Sequence, residues 1–221
     1  SDSVNMVIIC FDPAENIDFT ARLVIESISI SLSDRTKISL QVPPGKNIIR
    51  FGQVLRAAGQ DNCDTYRIPG LITTNAGTLI AVYDNRYKRS KDLQEDIDIG
   101  MSRSTDGGNS WDPMKVIMDM GEYGGRPEEF NGTGDPCVLY DHNTNTIWVA
   151  ALWMSGGSPD LMVWNASQPG MTPEETGQVL LVKSTDDGIT WSEPINITEQ
   201  IKDPSWQLLL QGPGRGITIT D

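Results

Sequence analysis

The sequence predicts an all-β protein: tandem four-stranded antiparallel blades of a propeller, preceded by part of a small antiparallel β-module. Three observations predict it. First, short strand candidates alternate with turn clusters along a chain of 221 residues that holds 21 glycines and 13 prolines. Second, the pattern Ser-x-Asp-x-Gly-x-(Ser/Thr)-Trp occurs twice, at Ser104–Trp111 and at Ser184–Trp191. Two copies with the same polar, glycine and tryptophan offsets mark a repeated supersecondary unit. Third, no segment sustains a helical period.

The elements follow in order. Val7–Phe11 and Ile38–Val42 read as strands, and Arg22–Leu32 alternates, with Val24, Ile28, Ile30 and Leu32 opposite Ser27, Ser29 and Ser31. Pro43-Pro44-Gly45-Lys46-Asn47 then breaks the pattern as a turn or linker. Residues 1–50 therefore form a partial β-sandwich-like module, with carbohydrate binding as one reading of its role. Three or four strands are few for an independent sandwich, so further strands are expected upstream of Ser1. Residues 51–221 form the second region. Its first blade comprises Arg67–Thr73, Thr78–Asp84, Asp96–Arg103 and Met114–Met118, with the first motif between the third and fourth strands. The pattern recurs in Pro136–Tyr140, Thr146–Trp153, Gln178–Lys183 and Pro194–Ile197, again with a motif before the last strand. Gly212–Thr220 would open a third blade. Two blades leave open sheet edges and apolar faces, so the ring is expected to be completed by further chain.

Composition narrows the function classes. Hydrophobic residues make up 38% and charged residues 21%, as in globular domains. A net charge of −13 argues against nucleic acid as partner, although a few arginines in a cleft still set a local positive potential because salt screens distant charge. No apolar run is long enough for a membrane-spanning helix, and Ser1-Asp2-Ser3-Val4-Asn5 shows no signal-peptide pattern. Cys10, Cys63 and Cys137 have no metal-ligand spacing and read as buried free thiols. His142, the sole histidine, falls in the turn Asp141–Asn145, a place for a loop histidine rather than a catalytic one.

The repeated motif reads as a clamp on a hairpin. Its serine and aspartate oxygens accept turn N–H groups, glycine supplies positive φ, and Trp111 and Trp191 anchor the hairpin by burial. Asp106 and Asp186 are thus turn-capping groups.

Chemistry points elsewhere. In Tyr66-Arg67-Ile68-Pro69, a guanidinium with a planar fork stands on a strand; Pro69 fixes its own φ and is expected to push Ile68 into an extended conformation. Arg86 lies at the end of the next strand, and Asp92, Glu95, Asp96 and Asp98 crowd the loop and strand that follow. The tetrapeptide together with the two repeats resembles the bacterial exo-sialidases (neuraminidases), which are six-bladed β-propellers. The resemblance covers roughly residues 60–221. It implies that Arg67 grips a substrate carboxylate and that Arg86 and Asp135, in Gly134-Asp135-Pro136, hold the C4 side of the sugar. Asp92, six residues after Arg86, becomes the acid/base, with Glu95 and Asp96 as alternatives in register and Asp98 structural. An acid that protonates a leaving group needs burial or neighbouring negative charge to keep its proton.

Trp148, Trp153, Met154 and Trp164 are candidates for a pocket floor or rim, with core packing an equal reading for Trp148; Arg215 receives no role. The family's tyrosine nucleophile, its partner glutamate and two further arginines fall later than Asp221, so residues 1–221 alone are expected to be inactive or nearly so. The resemblance implies hydrolysis of terminal sialic acid from glycoproteins and glycolipids with retention, without cofactor or metal, in a secreted, periplasmic or cell-surface protein. The rival readings are a non-catalytic sialoglycan-binding propeller, an adhesin dominated by its amino-terminal module, and a transferase or lyase on the same fold.

Overall fold

The computed structural model describes residues 27–31, 37–41, 54–92, 95–155, 161 and 163–219. The chain divides into two units, Ser1–Gln53 and Val54–Asp221. In the first, β1 (Ser27–Ser31) and β2 (Lys37–Gln41) form an antiparallel pair, Ser27 opposite Gln41 and Ser31 opposite Lys37. The expected strand Val7–Phe11, Cys10 and the Pro43–Asn47 turn lie outside the described residues.

The second unit contains two meanders. β3 (Thr65–Thr73), β4 (Leu79–Arg86), β5 (Ile97–Ser104) and β6 (Lys115–Met118) pair antiparallel in sequence order. β7 (Asn131–Asp141), β8 (Thr146–Ser155), β9 (Gln178–Ser184) and β10 (Ile195–Asn196) repeat the order. Among the described residues, the strand ladders of the two meanders pair only at Ile97 and Gly132. β11 (Gly214–Arg215) pairs parallel with β7, so the expected third-blade strand is regular over only two residues. Among the described residues two short α-helices accompany the second meander, α1 (Val163–Ala166) between β8 and β9 and α2 (Thr198–Ile201) after β10. Each spans about one turn, too short to leave a periodic signature.

Alternate residues of the strands build one apolar core. Ile80 and Val82 of β4, Ile99 and Met101 of β5, and Ile147, Val149, Ala151 and Trp153 of β8 are buried and share one core with Val138, Leu180 and Val182. Each large aliphatic side chain so buried contributes about 1.5–3 kcal/mol. The second motif locks this packing. The Asp187 carboxylate accepts Thr74 Oγ1 at 2.7 Å, Thr78 Oγ1 at 2.5 Å and Arg103 Nη2 at 2.9 Å, all from the first meander. Gly188, at φ 85°, leaves the room that Ile80 occupies: a Cβ there would lie 2.8 Å from Ile80 Cδ1.

The first strand of each meander, β3 and β7, is bulged at a proline. Register shifts between Arg67 and Gly70 in β3, and between Gly134 and Cys137 in β7. Pro69 and Pro136, which lack an N–H, sit inside these irregularities rather than in the ladder. The residues before them, Ile68 and Asp135, have φ 55° and 57°. This corrects the expectation that Pro69 holds Ile68 extended. A β-branched residue in the left-handed region costs on the order of 1–3 kcal/mol, and such strain persists where the surrounding structure enforces it. Here the close approach of β11 is part of that surrounding: a Cβ on Gly70 would lie 2.7 Å from the Gly214 carbonyl oxygen.

Candidate active site

The strands have two functionally distinct ends. Hairpin register puts Leu79 opposite Ser104, at the motif end, and Arg86 opposite both Thr65 and Ile97, at the other. Arg67, Arg86 and the loop carrying Asp92 therefore gather at the end away from both motifs. His142 falls at the motif end, in the β7–β8 turn, where its Nδ1 lies 2.8 Å from Asn75 Oδ1.

Two guanidinium groups converge on one carboxylate. Arg67 Nη1 donates to Asp92 Oδ1 at 3.2 Å and Arg86 Nη1 donates to the same oxygen at 2.8 Å. Both Nη1 groups also donate to the Ser90 carbonyl, at 3.1 and 2.7 Å, so the loop is held by its backbone as well as by its acid. Arg67 and Asp92 are about two-fifths exposed, whereas Arg86 is buried at 1%. Asp92 thus lacks the burial that an acid/base was expected to have; it stands at the rim of the site, facing two cations.

Behind them lies Asp84, a residue to which the sequence analysis gave no part in the site. The fully buried Asp84 accepts Arg86 Nη2 at 2.7 Å and Arg86 Nε at 3.1 Å on Oδ2. Its Oδ1 accepts the backbone N–H of Asp135 at 3.0 Å. Burial pushes the Asp84 carboxyl up to about 7, against the opposing pull of Arg86. Asp135 is also raised, by burial first and then by the charge of Asp92, with Arg86 and Arg67 pulling back. Arg67, Arg86, Asp92 and Asp135 thus belong to one charged cluster.

The remaining candidates separate from it. Glu95 is buried and pairs with Arg89, and Leu93 and Gln94 of the same loop lie outside the described residues. Asp96 is raised by burial, then by Glu128 and Asp119. Asp98 accepts Tyr87 Oη at 2.7 Å and is pushed by burial up to about 7. Trp153 and Met154 are 0% and 2% exposed, which corrects their reading as rim residues. Trp153 packs edge-on against Tyr123, at 4.9 Å between ring centres. Trp148 is half-buried with Lys183 over its ring at 5.4 Å, Trp164 is half exposed on α1, and Arg215 is exposed on β11. Sequence reasoning also passed over Arg56, which donates to Tyr83 Oη at 2.9 Å and to Ser102 Oγ at 2.6 Å, behind Tyr66. Cys63 is buried and Cys137 partly buried, both as free thiols.

The motif carboxylates have the opposite electrostatics. Asp106 Oδ1 accepts Ser104 Oγ and the Ser110 N–H, both at 2.9 Å, and Asp186 does the same with Ser184 and Thr190, both at 2.8 Å. These bonds hold both acids down at about 2.

Known proteins resemble this chain over most of its length. A sialidase of Bacteroides fragilis is 53% identical over 203 residues, 91% of this chain and 37% of that protein. A Micromonospora viridifaciens sialidase is 31% identical over 180 residues, 80% of this chain and 26% of its own length. The chain thus spans little more than a third, or less, of these relatives. Among solved structures, the Hadza microbial sialidase Hz136 superposes with a TM-score of 0.75 at 53% identity, covering 83% of this chain and 36% of that one. The profile of the BNR repeat-like domain matches residues 68–221, and by that match the chain belongs to the BNR repeat-like domain family, with sialidases as its relatives.

Proposed function

We propose that the whole protein is an exo-α-sialidase that releases terminal sialic acid from glycoconjugates with retention of configuration. The observation that carries this reading is the convergence of Arg67 and Arg86 on Asp92. A sugar acid entering the hollow would offer its own carboxylate to Arg67, which is exposed and still has donors to give. Asp92 would then be released from Arg67 beside the bound sugar, where a general acid that protonates the leaving oxygen must stand. Arg86 and Asp135 would hold the C4 side. A tyrosine nucleophile suits such a substrate, because its carboxylate repels an anionic one; that residue, its glutamate and the other arginines would come from the remainder of the protein. An enzyme with such substrates would act outside the cytoplasm, as a secreted, periplasmic or cell-surface protein.

The test is release of free sialic acid from a fluorogenic sialoside by the full-length protein; no release under any pH from 4 to 8 would defeat the proposal. A second reading follows from one relative, a Macrobdella decora anhydrosialidase 30% identical over 127 residues. Under it, an intramolecular attack would replace water. Analysis of the sugar product distinguishes the two, as free acid or anhydro form.

A further inference from the structure

We propose that Asp84 is a positioning residue that presets the C4-binding pair, Arg86 and Asp135, from behind the site. This rests on the sialidase reading of that pair. Asp84 stands opposite Arg67 in the β3–β4 ladder, at the bulge that begins there. Its two oxygens have different tasks. Oδ2 takes two N–H groups of the Arg86 guanidinium, which fixes the fork and turns Nη1 toward Ser90 and Asp92. Oδ1 crosses to the second meander and takes the N–H of Asp135, a residue held at φ 57° within its own bulge. One buried carboxylate thus ties Arg86, at the end of β4, to the bulge of β7 and sets the separation of the two groups that would flank the sugar. Arg86 and Asp84 are 1% and 0% exposed, so water cannot substitute for either contact.

The group must accept on both oxygens. In Asp84→Asn, one acceptor becomes an NH2 donor. If it faces Arg86, two donors meet and the guanidinium must move. If the amide flips, the donor meets the Asp135 N–H and that bulge must move. Either way the pair loses its spacing, while Arg67 does not depend on Asp84.

The experiment compares wild-type and Asp84→Asn full-length protein on a sialoside and on its 4-deoxy analogue, alongside a crystal structure of the variant. The expected result is at least a tenfold rise in KM for the sialoside and a smaller fall in kcat. On the 4-deoxy substrate the two proteins should become similar, because the hydroxyl that the pair reads is absent. Equal losses on both substrates, or an unchanged KM in a folded variant, would overturn the proposal. The crystal structure should show Arg86 off the Ser90 carbonyl or Asp135 out of the left-handed region; unmoved geometry would also overturn it. That arm reads out even if the wild type hydrolyses neither substrate, an outcome that counts against the sialidase reading alone. Should Asp84→Asn fail to fold, Asp84→Glu keeps the charge but displaces it, and the same loss of C4 discrimination is expected.

Discussion

The two ends of the same strands treat their carboxylates in opposite ways. At the motif end, Asp106 and Asp186 lie at the surface, and hydroxyl and N–H donors of their own turns hold them near 2. At the other end, Asp84 and Asp98 are buried and pushed up to about 7, and Asp135 is raised with them. One end satisfies Asp106 and Asp186 within their own turns. The other assembles acids and arginines from four places in the sequence and leaves Arg67 and Asp92 open to solvent. Local satisfaction builds a scaffold; long-range convergence with exposed charge builds a site. Perturbed carboxylates gathered around arginines are the physical mark of the latter.

Breaking one acid at each end tests the contrast most strongly. Asp92→Ala should lower sialoside hydrolysis by the full-length protein by about 10²–10⁴-fold, the range for a general acid/base, whereas Asp106→Ala should leave the rate unchanged. Steady-state kinetics on the two variants checks both halves.

The next effect lies within the motif end itself. The two turns share one hydrogen-bond pattern, yet the first has Gly107 where the second has Asp187. Only Asp187 reaches across to Thr74, Thr78 and Arg103. Asp187→Ala should therefore destabilise the protein by about 1–2 kcal/mol, the scale of lost hydrogen bonds to a partly exposed charge. Asp106→Ala should lower Tm by less, and paired thermal melts give the comparison.

A further effect is a pH dependence. The folded state holds the Asp98 proton more tightly than the unfolded chain does, so the contribution of this group to stability falls as pH rises from about 4 to about 7 and then levels off. Asp98→Asn still accepts from Tyr87 and removes that loss. Its Tm relative to wild type should be higher at pH 8 than at pH 5; a constant difference would show that Asp98 is not raised.

Much of this architecture could be read from the residues. Strand positions followed from alternation and from Gly, Asn and Asp turns, and most boundaries agree within two residues. β7 begins five residues early because Pro136, read as a strand start, sits in an internal bulge. The left-handed Ile68 was not legible, since the rule for a residue before proline favours the extended form and only the packing of β11 and the neighbouring strands reveals otherwise. Trp153 was misread although its signal was available: it follows Ile147, Val149 and Ala151 at period two, on the core face. Asp84 carried a weaker signal, an acid two residues before Arg86 on the same face of a strand. Nothing local shows that its other oxygen meets Asp135, because that contact joins separate meanders.

The most direct measurement is a crystal structure of the full-length protein with N-acetylneuraminic acid. The account predicts the sugar carboxylate on Arg67 in place of Asp92 Oδ1, with the C4 hydroxyl between Arg86 and Asp135. A sugar bound elsewhere, or Arg67 still closed on Asp92 beneath it, would contradict the account.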